Sequence, residues 1–484
     1  MTSKTPFRLS LALLTAGLLA GCAAVPRVKP QVEQASAASL GLSAVDVAQV
    51  APDWWAALGD PQLDRVMADA LAGNPSLDAA MARLRIAQAG IAAQKAGVLP
   101  HVGIDISEQR TRLSEKYIIP PPYAGSTQWG GTAQANLSWS LDLAGKQKAM
   151  IDQARASSHA AWLDAAAARV ALSGAVGETY VNLARADAEA RIAAEFVQSR
   201  EASLKLARVN KASNLASDFD IRAARTLLAQ ARQQQVRAEG NRALMIHALA
   251  ALAGRGADYY AAIGAPTLKL DDALPVPAAL PADLLGRRAD IMAAKARIDA
   301  SEAGRRAARA QFYPDIDIRA FAGTAALGLG NLFTSGAVQA GIGPAIHLPI
   351  FEGGKLKADY KAAVGGIDLA VADYNGLVTG AVKQAADALS AVETSATDAR
   401  LQRAIVSDLQ ETVRLDGVRV RTGLGSRLDV LATGDRLLAA RQAQVNIDAD
   451  GVIHRMQLLV ALGGGFSPLS TQSLALSRAA QTQR

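Results

Sequence analysis

The sequence predicts an α+β membrane protein in which short amphipathic strands are joined to very long helices, the whole set occurring twice in one chain. Three observations predict it. The first is repetition. Arg232-Gln233-Gln234-Gln235-Val236 reappears as Arg441-Gln442-Ala443-Gln444-Val445, an offset of 209 residues. At that offset Gly145-Lys146 matches Gly354-Lys355, Ser217 matches Ser426, Asp220 matches Asp429 and Gly254 matches Gly463. Upstream the offset is 214, with Arg83 matching Arg297 and Pro100 matching Pro314. A unit of about 200 residues is far longer than a solenoid repeat, so one large unit is duplicated and each half should carry the same elements. The second observation is where proline is missing: between Tyr123 and Ala265, and between Ile350 and Ser467. Proline breaks helix interiors, so both blocks can hold uninterrupted helix. The third is a strict two-residue alternation that starts at Gln128.

Residues 1–21 read as an export signal. Lys4 and Arg8 supply the positive start and Leu9 to Ala20 the apolar stretch, which is too short to span a bilayer as a helix. The run Leu19-Ala20-Gly21-Cys22 resembles the lipobox of bacterial lipoproteins, in which the cysteine takes lipid after cleavage; the alternative is an ordinary signal peptide with a chance cysteine. Cys22 is the only cysteine, so the chain has no internal disulfide. By the same resemblance, Ala23 rather than Asp after the cysteine favours the outer membrane. Residues 22–51, rich in Ala, Ser and Val, form a lipid-anchored linker. The first repeat then occupies 52–265, the second repeat with an equatorial segment 266–465, and a tail 466–484.

In each repeat a short helix precedes the strands, about 76–98 and 283–312. The strands follow. Trp129, Gly131, Ala133, Ala135, Leu137 and Trp139 share one face; Gln128, Thr132, Gln134, Asn136 and Ser138 share the other. Val102, Ile104 and Ile106 start the partner strand. The second repeat offers Ile316 and Ile318, then Val338, Ala340 and Ile342. Each half thus gives one β-hairpin, with loops near 119–122 and 328–331. Fourteen residues span roughly 45 Å, enough to cross a membrane even when tilted. Four strands cannot close a barrel in lipid, so several chains must contribute. Each proline-free block is then a helical hairpin. Val176, Leu183, Ala190, Val197 and Leu204 recur every seven residues, the period of coiled-coil packing. The interruptions are Ser213-Asn214-Leu215-Ala216-Ser217 and Thr422-Gly423-Leu424-Gly425-Ser426. Asn214 and Gly423 tolerate the left-handed backbone that ends a helix, and Ser217 and Ser426 can cap the next. The first arm, about 147–210, is roughly 95 Å long and the second, about 218–253, roughly 55 Å.

Composition excludes several classes. The formal charge of +7 falls to +5 once Lys4 and Arg8 leave with the signal, and basic residues are interspersed with acids, which gives no support to nucleic-acid binding. His101, His159, His247, His347 and His454 lack metal-ligand spacing. Gly328-x-Gly330 and Gly423-x-Gly425 lack the strand–turn–helix context of a nucleotide loop. No catalytic constellation, metal site or cofactor site is expected, and the chain reads as a non-enzyme.

Motifs across the mature chain carry a family resemblance: Trp54-Trp55 and Asp60-Pro61-Gln62-Leu63, Asn74-Pro75-Ser76-Leu77, Trp139-Ser140-Leu141-Asp142-Leu143-Ala144-Gly145-Lys146, Leu284-Leu285-Gly286-Arg287-Arg288-Ala289-Asp290-Ile291, Ala310-Gln311-Phe312-Tyr313-Pro314, and Pro349-Ile350-Phe351-Glu352-Gly353-Gly354. Their order resembles the TolC-like outer-membrane factor family, specifically the NodT-type efflux lipoproteins. Ala289 stands where the family usually has Pro, and Val420 where it often has Tyr. The resemblance implies a homotrimer with a 12-stranded transmembrane β-barrel continued by a long periplasmic α-helical barrel. It implies an exit duct that passively conducts small molecules, served by a periplasmic adaptor (membrane fusion) protein and an inner-membrane efflux pump. The tips 213–217 and 422–426 would receive the adaptor, although compact turns explain them too. Leu428 and Asp429 would ring the periplasmic gate; an acid favouring a helix start explains Asp429 equally. Two alternatives stand beside this reading: a duct for an ABC-type protein secretion system, which the lipobox disfavours, and a structural coiled-coil lipoprotein, which leaves four amphipathic strands unexplained.

Overall fold

The computed structural model describes residues 25–36, 38–40, 49–116, 118–271, 274–277 and 284–467. The signal segment 1–21, Cys22, residues 23, 24, 37 and 41–48 of the 22–51 linker, and the tail beyond Ser467 lie outside them. In chain order the elements are α1 (Pro61–Gly73), α2 (Pro75–Ala96), β1 (His101–Arg112), β2 (Thr127–Ser140), α3 (Lys146–Ala212), α4 (Asp218–Leu252), α5 (Ala289–Ala310), β3 (Asp315–Leu327), β4 (Val338–His347), α6 (Lys355–Arg421) and α7 (Arg427–Ala461). The two halves match in length: α2 and α5 have 22 residues each, α3 and α6 have 67, and α4 and α7 have 35. No helix among the described residues is long and apolar enough to cross a membrane.

Two compact units are distinguished. The first holds residues 84–161 and 294–374 with the linker up to Gln34. Its centre is one antiparallel sheet of order β1-β2-β3-β4. Register explains its two faces, because directly paired residues project to the same side. Val102, Ile104 and Ile106 pair with Leu137, Ala135 and Ala133. Those in turn pair with Ala320, Ala322 and Thr324, and these with Ile342, Ala340 and Val338. One face is therefore apolar over most of the four strands, interrupted by Thr324 on β3 and by Glu108 and Arg110 toward the end of β1. The other face carries a cross-strand polar ladder. Asn136 donates to Asp105 at 2.6 Å, Ser107 and Thr132 share a bond of 2.8 Å, and Gln339 donates to Gln134 at 3.3 Å. At the end of β2, Asp142 accepts from the Gln147 and Lys148 amides at 2.7 and 2.8 Å and so caps α3. Beneath the sheet Phe312, Leu356, Tyr360 and Val364 form a small core that Val25 and Val28 of the linker cover. The Gln31 and Val32 amides both donate to Asp368, at 2.7 and 3.0 Å, fixing the linker to α6.

The second unit holds residues 35–83, 162–293 and 375–467 of the described chain. Its core packs Leu63, Val66 and Met67 of α1 against Val176, Tyr180 and Leu183 of α3 and Ile246 and Leu249 of α4. Beside it Trp54 packs against Val452, Ile453 and Met456. Of the seven-residue series in α3, Val176, Leu183 and Leu204 are buried, and Ala190 and Val197 half-buried.

Two elements depart from the sequence reading. Residues 61–73 form a helix of their own, an element the sequence reading does not assign. Asp60 accepts from the Gln62 amide at the N-cap, Pro61 sits at N1, and Leu63, Val66, Met67 and Ala70 bury one face. The helix expected over 283–312 is interrupted at Arg288, with a single turn over Leu284–Arg287 before α5. The break is held by side-chain bonds described next.

Candidate functional site

Both hairpin tips lie in the second unit and are built alike. At the end of α3, Asn214 takes φ +58°, and the Leu215 and Asn214 amides bond back to the Asn210 and Lys211 carbonyls at 2.8 and 3.0 Å. At the end of α6, Gly423 takes φ +77°, and the Leu424 and Gly423 amides bond to Arg419 and Val420 at 2.8 and 3.2 Å. Both are Schellman closures, which satisfy the last helical carbonyls without a partner molecule. The next helix opens in each case with a reciprocal capping box. The Ser217 amide donates to Asp220 at 2.7 Å and the Asp220 amide to the Ser217 hydroxyl at 3.4 Å. The Ser426 amide donates to Asp429 at 2.9 Å and the Asp429 amide to the Ser426 hydroxyl at 3.2 Å. Rigid turns of this kind hold their outer side chains out. Leu215 is 78 % exposed and Leu424 74 %.

Leu428 is half exposed, and its repeat counterpart Phe219 is more so. The Asp429 carboxylate spends its acceptor on Ser426, which holds it below the ordinary aspartate range, with Arg419 adding to the effect. Asp220 is lowered by Ser217 in the same way. The two hairpins differ one turn above the tips. In the second, Thr433 donates to Asp416 at 2.8 Å and Arg419 lies 3.6 Å from the same carboxylate. Asn210, Ala207 and Ala224 occupy the corresponding places in the first.

Sequence reasoning missed two polar junctions away from the tips. One is centred on Asp60, 2 % exposed. One of its oxygens accepts from the Tyr180 hydroxyl at 2.8 Å and from the Thr267 and Leu268 amides at 2.8 and 3.0 Å. Gln62 closes the ring, accepting from the Gly264 amide at 2.8 Å and donating to the Tyr180 hydroxyl at 3.0 Å. Burial works to raise the Asp60 carboxyl; the bonds from Tyr180, Gln62 and Thr267 outweigh it, and it sits below its usual value. Burial and the Asp60 carboxylate both push Tyr180 up.

The other junction occurs twice. The Asn74 side chain donates to the Leu252 carbonyl at the end of α4 at 2.8 Å. At the matching place Arg288 donates to the Ala461 carbonyl at the end of α7 at 3.2 Å, and also pairs with Asp290 at 2.7 Å. Beside each, a glycine just past the helix lies against a carbonyl. A Cβ on Gly254 would stand 1.9 Å from the Gly73 oxygen, and one on Gly463 2.2 Å from the Arg287 oxygen. The end of a returning helix therefore meets the start of a short helix in both halves. In the second half it is the residue at the break, Arg288, that reaches the carbonyl.

Among the described residues no group of three or more His, Cys, Asp or Glu side chains is placed to hold a metal ion. Cys22 lies outside them.

Comparison with known proteins follows the same lines. The family described as "Outer membrane efflux protein" matches residues 66–255 and 280–464. The fusaric acid resistance protein FusA of Burkholderia cepacia is 37% identical over 371 residues, 74% of this chain and 70% of that protein. The toluene efflux pump outer membrane protein TtgC of Pseudomonas putida is 30% identical over 466 residues, 95% of both. Among solved structures, the outer membrane protein VceC of Vibrio cholerae superposes with a TM-score of 0.78 at 31% identity, covering 86% of this chain and all of that one. The Campylobacter jejuni CmeC outer membrane channel superposes with a TM-score of 0.82 over 94% of this chain and 97% of that one, and at 21% identity speaks for the fold.

Proposed function

This chain belongs to the outer membrane efflux protein family, and from that premise we propose how its parts divide the work of an outer-membrane efflux channel. The observation that carries the reading is the sheet. One face is largely apolar over all four strands, the other carries a polar ladder, and among the described residues β1 and β4 have no outer partner. Lipid does not tolerate open strand edges. Three copies supply twelve strands and close a barrel with the polar ladder inward. Two copies would give eight, whose interior side chains fill. The long hairpins, whose matched lengths in the two halves support a duplication, continue the duct on the periplasmic side.

In this scheme the chain contributes no chemistry and no energy. An inner-membrane pump and a periplasmic adaptor deliver cargo, and the adaptor meets the exposed leucines of the tips at 213–217 and 422–426. Leu428 and Asp429 narrow the periplasmic end, Asp429 serving as cap and as charge together. Cys22 carries lipid. The relatives named for fusaric acid and toluene point to small, largely aromatic cargo. The test is purification in detergent followed by native mass spectrometry and planar-bilayer recording. A trimer with steady ion conductance is expected. A stable folded monomer, or a trimer that never conducts, overturns the duct.

A further inference from the structure

The loop between β3 and β4 does not stand over the polar side of the sheet. Leu332, 6 % exposed, seats itself on Gly131: a Cβ built there would lie 3.2 Å from the leucine's Cδ2. Gly131 projects to the same side as Trp129 and Ala133, so the loop is folded onto the apolar face. The Gly328 amide anchors its base on the Trp129 carbonyl at 2.6 Å. The neighbouring Phe333 is 81 % exposed.

We propose that this loop, residues 328–337, is an anchor in the outer leaflet, with Phe333 inserted at the boundary between lipid headgroups and acyl chains. The inference rests on the reading that the apolar face of the sheet lies in the membrane. Three further observations favour lipid over water. Residues 328–337 contain no charged side chain. Two of the loop's three polar side chains are turned on its own backbone: Asn331 donates to the Leu327 carbonyl at 3.1 Å and Thr334 to the Asn331 carbonyl at 2.8 Å, as a segment leaving water requires. Trp129, beside the loop, is 45 % exposed with the Arg110 guanidinium 5.9 Å from its ring centre, the pairing of aromatic and cation that marks a membrane–water boundary. An exposed phenylalanine next to that level adds apolar area to the lipid contact instead of leaving it in water. The other loop on this side contrasts with it, carrying Glu115 in an ion pair with Arg112 at 3.6 Å.

The test uses single-site fluorescent labelling of the full chain in phospholipid vesicles. Cysteine is introduced in Phe333→Cys, in Ile342→Cys on the apolar face, and in Glu115→Cys on the other loop. The unsubstituted chain controls for labelling at Cys22. Nitroxide carried on lipid should quench the labels at 333 and 342, and a water-soluble nitroxide should quench the label at 115. Quenching at 333 from water alone overturns the anchor while the 342 label still reports strands in lipid. If the 342 label is also reached only from water, the duct reading fails first and the anchor with it. Adding Gly131→Val fills the seat of Leu332 and should move the 333 label into water while leaving the 342 label in lipid. Unchanged quenching in that variant overturns the role given to the seat.

Discussion

Replacing Asp60 by alanine should unlatch the 264–268 segment from α1 and α3 while leaving both helices folded. The magnitude follows from the bond count. Three donors, the Tyr180 hydroxyl and the Thr267 and Leu268 amides, converge on one buried carboxylate oxygen, and the Gln62 amide takes the other. Bonds to a charged acceptor are each worth about 1.5–3 kcal/mol, and three donors sharing one oxygen do not add in full. Loss of the N-cap adds about 1 kcal/mol. A total of roughly 3–5 kcal/mol is expected, because the stranded donors stay buried. Hydrogen exchange read by mass spectrometry on peptides covering 264–270 measures the local opening directly. A loss of about 3 kcal/mol speeds exchange at the Thr267 and Leu268 amides by about a hundredfold. Tyr180→Phe removes two bonds, the one given to Asp60 and the one accepted from Gln62, but keeps the carboxylate, so it should cost about 1–2 kcal/mol and speed exchange by about tenfold. The pH dependence has a definite sign. The Asp60 carboxyl titrates below its ordinary value, so the latch is fully present above about pH 4 and is lost as pH falls through the folded-state value. Wild-type exchange rates in Asp60→Ala at neutral pH, or a latch that weakens on raising the pH from 5 to 8, would refute the reasoning.

Other parts of the scheme make their own predictions. Gly423→Val forces a β-branched residue to φ +77° and should cost about 1–2 kcal/mol locally; trimers should persist in the membrane while adaptor cross-linking and efflux fall together, and normal efflux counts against tip docking. Asp429→Asn keeps an oxygen for the Ser426 amide and removes the charge. Single-channel recording should show weaker cation preference for it and no change for Asp220→Asn, and identical traces for the two remove the gate assignment. Mass spectrometry of the mature N-terminus should find lipid on Cys22, with cleavage behind Gly21. Because Asp368 holds the linker amides of Gln31 and Val32, Asp368→Ala should expose residues 25–36 to protease, and equal protease resistance would show that the linker is held otherwise.

Much of the fold was legible because the signals were local. Proline-free blocks interrupted at Asn214 with Ser217, and at Gly423 with Ser426, locate the hairpin arms to within a few residues. Alternation from Gln128 gives β2 and its two faces. The strand pairing joining the two hairpins, β2 to β3, carries no local signal and comes from register: Trp139 opposite Ile318 and Leu137 opposite Ala320. α1 was announced by Asp60 and Pro61, a cap followed by an N1 proline, but those residues enter the sequence reading only as part of a family motif. The loop on Gly131 was not legible, since 328–337 shows only turn residues and nothing in them says which face they cover.

The equivalence of Asn74 and Arg288 shows why matching letters understates a duplicated chain. An amide and a guanidinium share no charge and little shape, yet each supplies the one donor that the last carbonyl of a returning helix needs, Leu252 in one half and Ala461 in the other. The backbone geometry is kept and the side chain that serves it has drifted. The tips show the reverse. Asp220 and Asp429 are the same letter making the same capping bonds, so capping alone gives no reason for them to differ in function. What differs is their surroundings: only the second hairpin has Arg419 and Thr433 gathered on Asp416, where the first has Asn210, Ala224 and Ala207. In the second hairpin the Thr433 hydroxyl ties α7 to Asp416 of α6, whereas in the first the Lys211 ammonium pairs with Asp218 across the two arms. A function that separates the two hairpins is therefore built on these different cross-arm ties, with Asp429 acting within the frame that Asp416 and Thr433 set.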